Sequence, residues 1–491
     1  MLSASGCRIP AMSSLVDPVP SELGACTIVP RYLLEAFANH PDPEIAERAR
    51  RTLATDARRP PFRAPARDVT ATPTEGLQRT IADAKNAEQL PGETVRTESQ
   101  AATGDAATDE AYDGLGDTYA LFSEAFNRDS LDGNGLPLLA TVHYGQDYEN
   151  AFFNGEQMVF GDGDGITFNR FTMSLDVIGH ELTHGVTAYT ANLEYSGQSG
   201  ALNEHVSDVF GSLVKQRKLD QTVEQADWLI GAGLFTPVVQ GVALRSMKEP
   251  GTAYDDDQLG KDPQPADMAG YVETTDDNGG VHINSGIPNR AFALAATAIG
   301  GKAWESLGLV WYDVLIGNIE TTCDFATFAG LTVAAAGARF GEGSTQQRAV
   351  QEGWVTVGVL TAEPGPTPDP VPLPDDPAPS DPDDTTPKPG PRSGDGPVPP
   401  LDAPIEVRRS GGVAGMTRER TVTLAELPED EVHHWQAVFA QGVLRSVSGR
   451  SSYPDAFVYS IVCVSVDVDV TVAEPDLPRQ LRDLLVRTLQ L

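Results

Sequence analysis

Cysteine is scarce in this chain of 491 residues: Cys7, Cys26, Cys323 and Cys463 are its only four, scattered over segments of different composition. That scatter argues against a disulfide-stapled scaffold and leaves the redox compartment open. Basic residues are also few, 35 against 70 acidic ones, for a formal net charge of −35. Such a surface disfavours nucleic acid and anionic membranes as partners and suits a well-solvated protein. No apolar run approaches the roughly 20 residues that cross a bilayer, so no membrane partner is expected. Met1–Pro20 has no apolar core of about 7–15 residues, so a conventional secretory signal is not visible.

What is present points to several folded units, since the length far exceeds that of one typical domain. From Ile28 to Leu53, apolar residues at Ile28, Tyr32, Leu33 and Phe37 predict a short helical segment, followed by a proline- and arginine-rich stretch over Arg58–Pro73 that reads as exposed and cleavable. Short alternating runs such as Leu138–Tyr144 and Gln157–Phe160, set between glycine- and aspartate-rich turns, predict β-hairpins up to Asn203. Helical spacing then dominates to Leu360, as in Ala291–Ile299 and Leu307–Ile316. Between Thr361 and Leu401 roughly every third residue is proline, which predicts an extended linker without a core. Beyond it, Ile405–Arg409 and Arg420–Leu424 read as strands and Pro428–Phe439 as a helix. Alternating valines from Val462 to Val470 read as one strand, and Leu477, Leu481, Leu484, Leu485 and Leu489 as a closing amphipathic helix. The expected fold class is α+β, with boundaries at 1–75, 76–203, 204–360, 361–402 and 403–491.

The chemistry concentrates in Asp176-Val-Ile-Gly-His180-Glu181-Leu-Thr-His184. Two histidines four residues apart leave one face of a helix together and can reach one zinc ion. Catalytic zinc takes three protein ligands and keeps a position open for water, and a carboxylate can be the third. Glu204, in Gly200-Ala-Leu-Asn203-Glu204-His205, is the candidate, at the start of what reads as a second helix, with His205 as its local competitor. Glu181, about 100 degrees round the helix from His180, lies where a base for zinc-bound water belongs. An oxyanion also needs a donor. His282, in Gly279-Gly-Val-His282-Ile-Asn-Ser-Gly286, is the candidate, with Asp277 to orient its ring. Alone, a His-Glu-x-x-His run is as readily a chance match on an amphipathic helix; the joint order and spacing set this one apart.

These residues resemble the thermolysin family, and specifically its protealysin-like branch, over about Gly76–Leu360. Asn150-Ala-Phe152, Met158-Val-Phe-Gly-Asp-Gly-Asp-Gly165, Gly200-Ala-Leu-Asn-Glu204 and Leu244-Arg-Ser-Met247 carry the likeness in family order, together with the His282 block. The resemblance implies a two-lobed metalloendopeptidase, β-rich then helical, with one catalytic zinc between the lobes. It implies that Tyr195 joins His282 at the oxyanion and that Asn150, Ala151 and Arg245 hold the substrate backbone. It further implies that Asp208 orients a zinc-bound histidine, and that Phe168, Phe171, Val177 and Leu244 line an apolar pocket for the residue after the scissile bond. Family members are commonly extracellular, although this branch lacks ordinary export signals, so secreted and cytoplasmic fates both stay open.

Departures from the family pattern bear on calcium. Asp176 and Asp227 match its double calcium site, but Lys215, Leu229 and Ala232 replace carboxylates there, and Val242 replaces one of another site. A lysine among ligands for a hard dication opposes binding, so the double site is expected to be lost. Cys26-Thr-Ile-Val-Pro30-Arg31-Tyr-Leu-Leu34 is similar to the short propeptide of the branch, with Arg31 where a second proline is usual. Ile405-Glu-Val-Arg-Arg-Ser-Gly-Gly-Val-Ala-Gly415 resembles emfourin, a proteinaceous inhibitor of protealysin-like enzymes. The expected partners are protein or peptide substrates and these two segments of the chain itself. The rival reading is a regulatory or binding protein of weak catalysis, whose emfourin-like module acts on other peptidases.

Overall fold

A computed structural model describes residues 27–59, 76–317, 319–361, 399–411, 416–427, 429–440, 457–466, 468–473 and 479–489. Two compact units, Met1–Gly365 and Pro366–Leu491, are distinguished. The cysteines Cys7 and Cys26, most of the proline-rich stretch after Arg58, nearly all of the linker, Leu477 and the Gly-Val-Ala-Gly run at 412–415 lie outside the described residues.

The larger unit opens with helices α1 (Arg31–Ala38) and α2 (Pro43–Asp56). Asp42 caps α2 by accepting from the Glu44 amide, and Pro43 occupies the first turn, where its lack of an N–H costs nothing. A five-stranded sheet follows, β1 (Arg79–Asp83), β2 (Glu93–Thr97), β3 (Leu138–Val142), β4 (Ala151–Phe153) and β5 (Met158–Phe160), in the order β2-β1-β3-β5-β4. Two of its pairings, β1 with β3 and β3 with β5, are parallel, so the hairpins expected from the sequence are only part of the lobe. The crossover from β2 to β3 is α3 (Ala106–Phe126), a buried helix capped by Asp105 at the Thr108 amide and closed by left-handed Asn127. Strand β4 ends the sheet order, and its free edge bears on the site.

Helices α4 (Leu175–Tyr189) and α5 (Gly197–Lys218) form the floor between the lobes. They approach closely because glycines face each other: a Cβ on Gly211 would lie 2.4 Å from the Asp176 carbonyl oxygen, and one on Gly179 3.0 Å from the Gly211 Cα. Contacts pair Asp176 with Gly211, His180 with Asp208 and His184 with Asn203, so the helices run antiparallel. Glu204 therefore sits in the second turn of α5, not at its start as the sequence suggested; the glycine- and serine-containing first turn hides the true helix start. Helices α6 (Asp277–Asn284), α7 (Gly286–Ile299), α8 (Leu307–Ile316), α9 (Phe325–Phe340) and α10 (Thr345–Thr356) complete the unit. One continuous core joins both lobes and includes Ile28, Val29, Leu33, Leu34 and Phe37 of the opening segment.

The smaller unit is a four-stranded antiparallel sheet of β10 (Pro404–Gly411), β11 (Met416–Thr423), β12 (Phe457–Cys463) and β13 (Val468–Ala473), in the order β11-β10-β12-β13. The strands are numbered after four two-residue pieces, β6 (Leu229–Ile230), β7 (Arg245–Ser246), β8 (Asp255–Asp256) and β9 (Gly260–Lys261). Helices α11 (Glu429–Ala440) and α12 (Arg479–Leu489) belong to this unit, tied by Trp435 Nε1 donating to Thr488 Oγ1 at 3.0 Å. The valine run read as one strand is two: Val464–Val466 form a 3-10 turn, and the flanks fold back as β12 and β13. Alternation carries no mark of a reversal, and only the exposure of Val464, at 82%, betrays it.

Candidate metal centre

The helix geometry anticipated for α4 places His180 Nε2 and His184 Nε2 3.0 Å apart. Glu204 comes from α5, with Oε2 3.5 Å from His180 Nε2 and Oε1 3.5 Å from His184 Nε2. Among the described residues this is the group of three or more histidine, cysteine or carboxylate ligands able to hold a metal. The donor chemistry fits zinc. His180 turns Nδ1 to Asp208 Oδ1 at 2.8 Å, so that nitrogen carries the proton. His184 turns Nδ1 to Asn203 Oδ1 at 2.8 Å, and Asn203 is itself oriented by donating to the Leu193 carbonyl. Both Nε2 lone pairs therefore face one another and a carboxylate, all fully buried, an arrangement that calls for a cation.

Electrostatics reinforce that assignment. Burial pushes His184 down to about 4, which keeps the ring a neutral ligand. Burial works against ionised Glu204, but the charged His282 and Arg245 are among the neighbours that outweigh it and lower the group to about 2. His205, the competitor, is turned away: its Nδ1 meets Asn289 Oδ1 at 2.8 Å and its Nε2 meets Trp311 Nε1 at 2.7 Å.

Glu181 is buried beside the triad, where desolvation raises its carboxyl to about 7. Oε2 accepts from the Phe153 amide at 3.0 Å, while Oε1 has no hydrogen-bond partner among the described residues. A buried acceptor left open is costly unless a ligand or water completes it.

The segment Asp277-Asn278-Gly279-Gly280 takes left-handed conformations, with φ of 53° at Asn278, 87° at Gly279 and 76° at Gly280. A Cβ on Gly279 would also meet the Gly197 amide nitrogen at 2.9 Å, so both the turn and the approach require glycine. This turn brings Asp277 Oδ1 to 2.6 Å from His282 Nδ1, while Oδ2 accepts from the His282 amide. Burial favours the neutral ring, yet Glu204 and Asp277 raise His282 to about 9. Tyr195 stands at the same place: its hydroxyl donates to Glu204 Oε1 and lies 3.3 Å from His282 Nε2.

The opening segment occupies the groove these groups line. The Thr27 carbonyl is 3.1 Å from His282 Nε2. Ile28 donates from its amide to the Ala151 carbonyl on the edge of β4 and accepts from Arg245 Nη1 at 3.2 Å. Val29 donates to Asn150 Oδ1 at 3.0 Å and accepts from Asn150 Nδ2 at 3.2 Å. Arg245 is held by Asp208, through Nε to Oδ2 at 3.0 Å and Nη2 to Oδ1 at 2.9 Å. Phe168, Phe171, Val177 and Leu244 are buried in the core that takes up Ile28 and Val29; Phe37 of α1 meets Phe168 edge-on at 5.5 Å.

The roles of Asn203 and Asn289 have no signal in the sequence beyond Asn203's place next to Glu204. The reach of α2 towards the residues flanking β4 and β5 has none either. Arg48 of α2 lies 3.6 Å from the buried Asp164 carboxylate, and Asp56 accepts from Asn150 Nδ2 at 3.2 Å. Away from the centre, Lys215 Nζ bridges Asp176 Oδ2 at 2.9 Å and Asp227 Oδ2 at 2.7 Å.

Comparison with known proteins agrees with the geometry. Residues 63–188 match the thermolysin metallopeptidase catalytic domain, residues 191–359 its alpha-helical domain, and residues 407–489 emfourin. The chain is 59% identical over 288 residues to an extracellular metalloprotease of Pectobacterium carotovorum subsp. carotovorum, covering 58% of this chain and 82% of that protein. It is 40% identical over 286 residues to bacillolysin of Bacillus cereus, covering 56% and 48%. Among solved structures, the precursor of protealysin from Serratia proteamaculans superposes with a TM-score of 0.64 at 53% identity, covering 68% of this chain and 100% of that one.

Proposed function

Because the chain belongs to the thermolysin family of zinc metalloendopeptidases, we propose that it is a neutral endopeptidase made latent by its own opening segment and restrained again by its emfourin-like module. Zinc held by His180, His184 and Glu204 would supply the Lewis acid that acidifies a bound water and polarises the scissile carbonyl. The chain's own groups do the rest. Glu181 takes the proton of the attacking water and passes it to the leaving amine, a task suited to a carboxyl near 7. His282, favoured in its charged form by Glu204 and Asp277 and oriented by Asp277, donates to the oxyanion together with Tyr195. Asn150, Ala151 and Arg245 bind substrate backbone, and Asp208 fixes both His180 and Arg245. The pocket of Phe168, Phe171, Val177 and Leu244 selects a hydrophobic residue after the scissile bond.

One observation carries the latency: Thr27, Ile28 and Val29 use, as backbone partners, the groups assigned to substrate. The peptide bond presented beside His282 is Thr27–Ile28, with two apolar residues following it. Activation then requires a cut in the 58–75 region. Amino-terminal sequencing of active protein tests this: a start in or just after that region is expected, and an active protein beginning at Met1 refutes it.

The emfourin-like module, tethered by a proline-rich linker, sits at high effective concentration relative to the peptidase. Deleting Ala403–Leu491 is expected to raise the activity of the processed enzyme; unchanged activity excludes inhibition in cis. The ammonium of Lys215, lying between Asp176 and Asp227 where a divalent ion would need oxygen donors, supports the reading that the double calcium site is lost.

A further inference from the structure

A chain of buried hydrogen bonds runs from the aromatic core of the helical lobe to the zinc ligand His180, and its direction is fixed at every link. The indole of Trp311, on α8, is a donor only, and its Nε1 lies 2.7 Å from Nε2 of His205. That ring nitrogen must be the acceptor, so the proton sits on Nδ1, which donates to Asn289 Oδ1 at 2.8 Å. Asn289, in the first turns of α7, then has only its amide N–H to offer Asp208 Oδ2, at 2.8 Å. Asp208 Oδ1 in turn accepts from His180 Nδ1 at 2.8 Å, leaving Nε2 as the metal-facing lone pair.

The reverse arrangement is excluded by its own repulsions. An Asn289 amide flipped end for end would set its oxygen against the Asp208 carboxylate and its N–H against that of His205. Trp311, His205, Asn289, Asp208 and His180 are all fully buried, so bulk water cannot substitute for a lost partner at any link. Trp311 is itself immobilised, stacked on Trp354 with ring centroids 6.3 Å apart and 9° between planes.

We infer that Asn289, backed by His205 and Trp311, is a positioning residue that, beside Arg245, orients the Asp208 carboxylate accepting from Nδ1 of His180 and so sets how tightly this chain holds zinc. The observation explains why His205 stands next to a zinc ligand without being one. It also couples the packing of α5, α7 and α8 to the metal site.

The test is the zinc affinity of the full-length protein, by competition with a chelator, for Asn289→Leu, Asn289→Asp and Trp311→Phe, with thermal melting of the zinc-free forms alongside. Asn289→Leu, which keeps the shape and removes both hydrogen bonds, is expected to weaken zinc binding by about 10–100-fold. Asn289→Asp, which opposes a second carboxylate to Asp208, is expected to weaken it as well. Trp311→Phe, which removes only the first donor, is expected to weaken it several-fold, and kcat of the processed enzyme should fall with KM little changed. A purely structural role would lower the melting temperature of the zinc-free protein and leave zinc affinity alone, and that result overturns the inference. If Asn289→Leu fails to fold, Trp311→Phe decides: unchanged zinc affinity there overturns it equally.

Discussion

The carbonyl oxygen of Thr27 accepts from Nε2 of His282 at 3.1 Å, so the ring assigned to the oxyanion already holds a peptide carbonyl supplied by the chain itself. Its other nitrogen is committed to Asp277, and the doubly protonated ring that results can donate at both ends. The geometry proposed to stabilise a tetrahedral intermediate therefore also anchors Thr27. On the proposed reading, displacing the opening segment and binding substrate compete for one set of donors.

Weakening the blocking segment should release activity without proteolysis. Ile28→Asp places a carboxylate at a position that is fully buried, at a cost of several kcal/mol by the usual penalty for an unpaired buried charge. The precursor carrying it is expected to hydrolyse a furylacryloyl dipeptide at a rate well above the unmutated precursor, measured before any cut is detectable by mass spectrometry. Equal rates contradict the blocking role.

A second hold lies further along the segment. Asp56 accepts from Asn150 and from Tyr148, and Arg48 lies near Asp164, whose side chain is fully buried. Removing Asp56 takes an acceptor from buried Tyr148 and Asn150, at about 1–3 kcal/mol each, while removing Arg48 takes the neighbouring counter-charge from the buried Asp164 carboxylate. Arg48→Met and Asp56→Ala precursors are therefore expected to be processed faster under limiting protease, read as the half-life of the intact band.

Calcium should be dispensable to the fold near α4. Thermal melting is expected to be the same in calcium and in a calcium-selective chelator, and a large stabilisation by calcium would refute the loss of the double site. Lys215→Met, which strands the buried Asp176 carboxylate, is expected to destabilise the protein by up to about 3 kcal/mol, less than a fully enclosed pair because Asp227 is exposed.

His143 gives a pH signature remote from the metal. Asp162, 2.8 Å from Nδ1, raises the ring to about 9 against a partial burial that lowers it, with Asp105 adding to the rise. A raised folded-state value means the contribution is full below the unfolded value near 6.5 and is lost as pH rises through about 9. Stability should thus decline between these limits, and His143→Gln should flatten that part of the profile. The ring's own titration by NMR checks the assignment.

How much of this was legible in the sequence varies with the physics of each feature. The two histidine ligands were, because a four-residue spacing on a helix is enforced locally and does not depend on the rest of the fold; Glu204 was a candidate beside His205, and the packing of α5 against α4 decides between them. Helix α8 was, through the helical spacing of Leu307–Ile316. The start of α5 was not, since glycine and serine weaken helix signals and tertiary packing overrides them. The turn at Val464–Val466 was hidden because a hairpin and a single strand share the same alternation. The partners of Asn289 lie 81 and 84 residues away, at Asp208 and His205, a distance over which one sequence has no spacing rule to offer.

The most direct test of the account is the fate of zinc and turnover in Glu181→Ala, made in the processed enzyme. The variant is expected to bind zinc stoichiometrically through His180, His184 and Glu204, yet to lose about 100- to 10,000-fold in kcat for peptide hydrolysis, the range for removal of a general base. Full activity in that variant, or activity that survives complete removal of zinc, would contradict it.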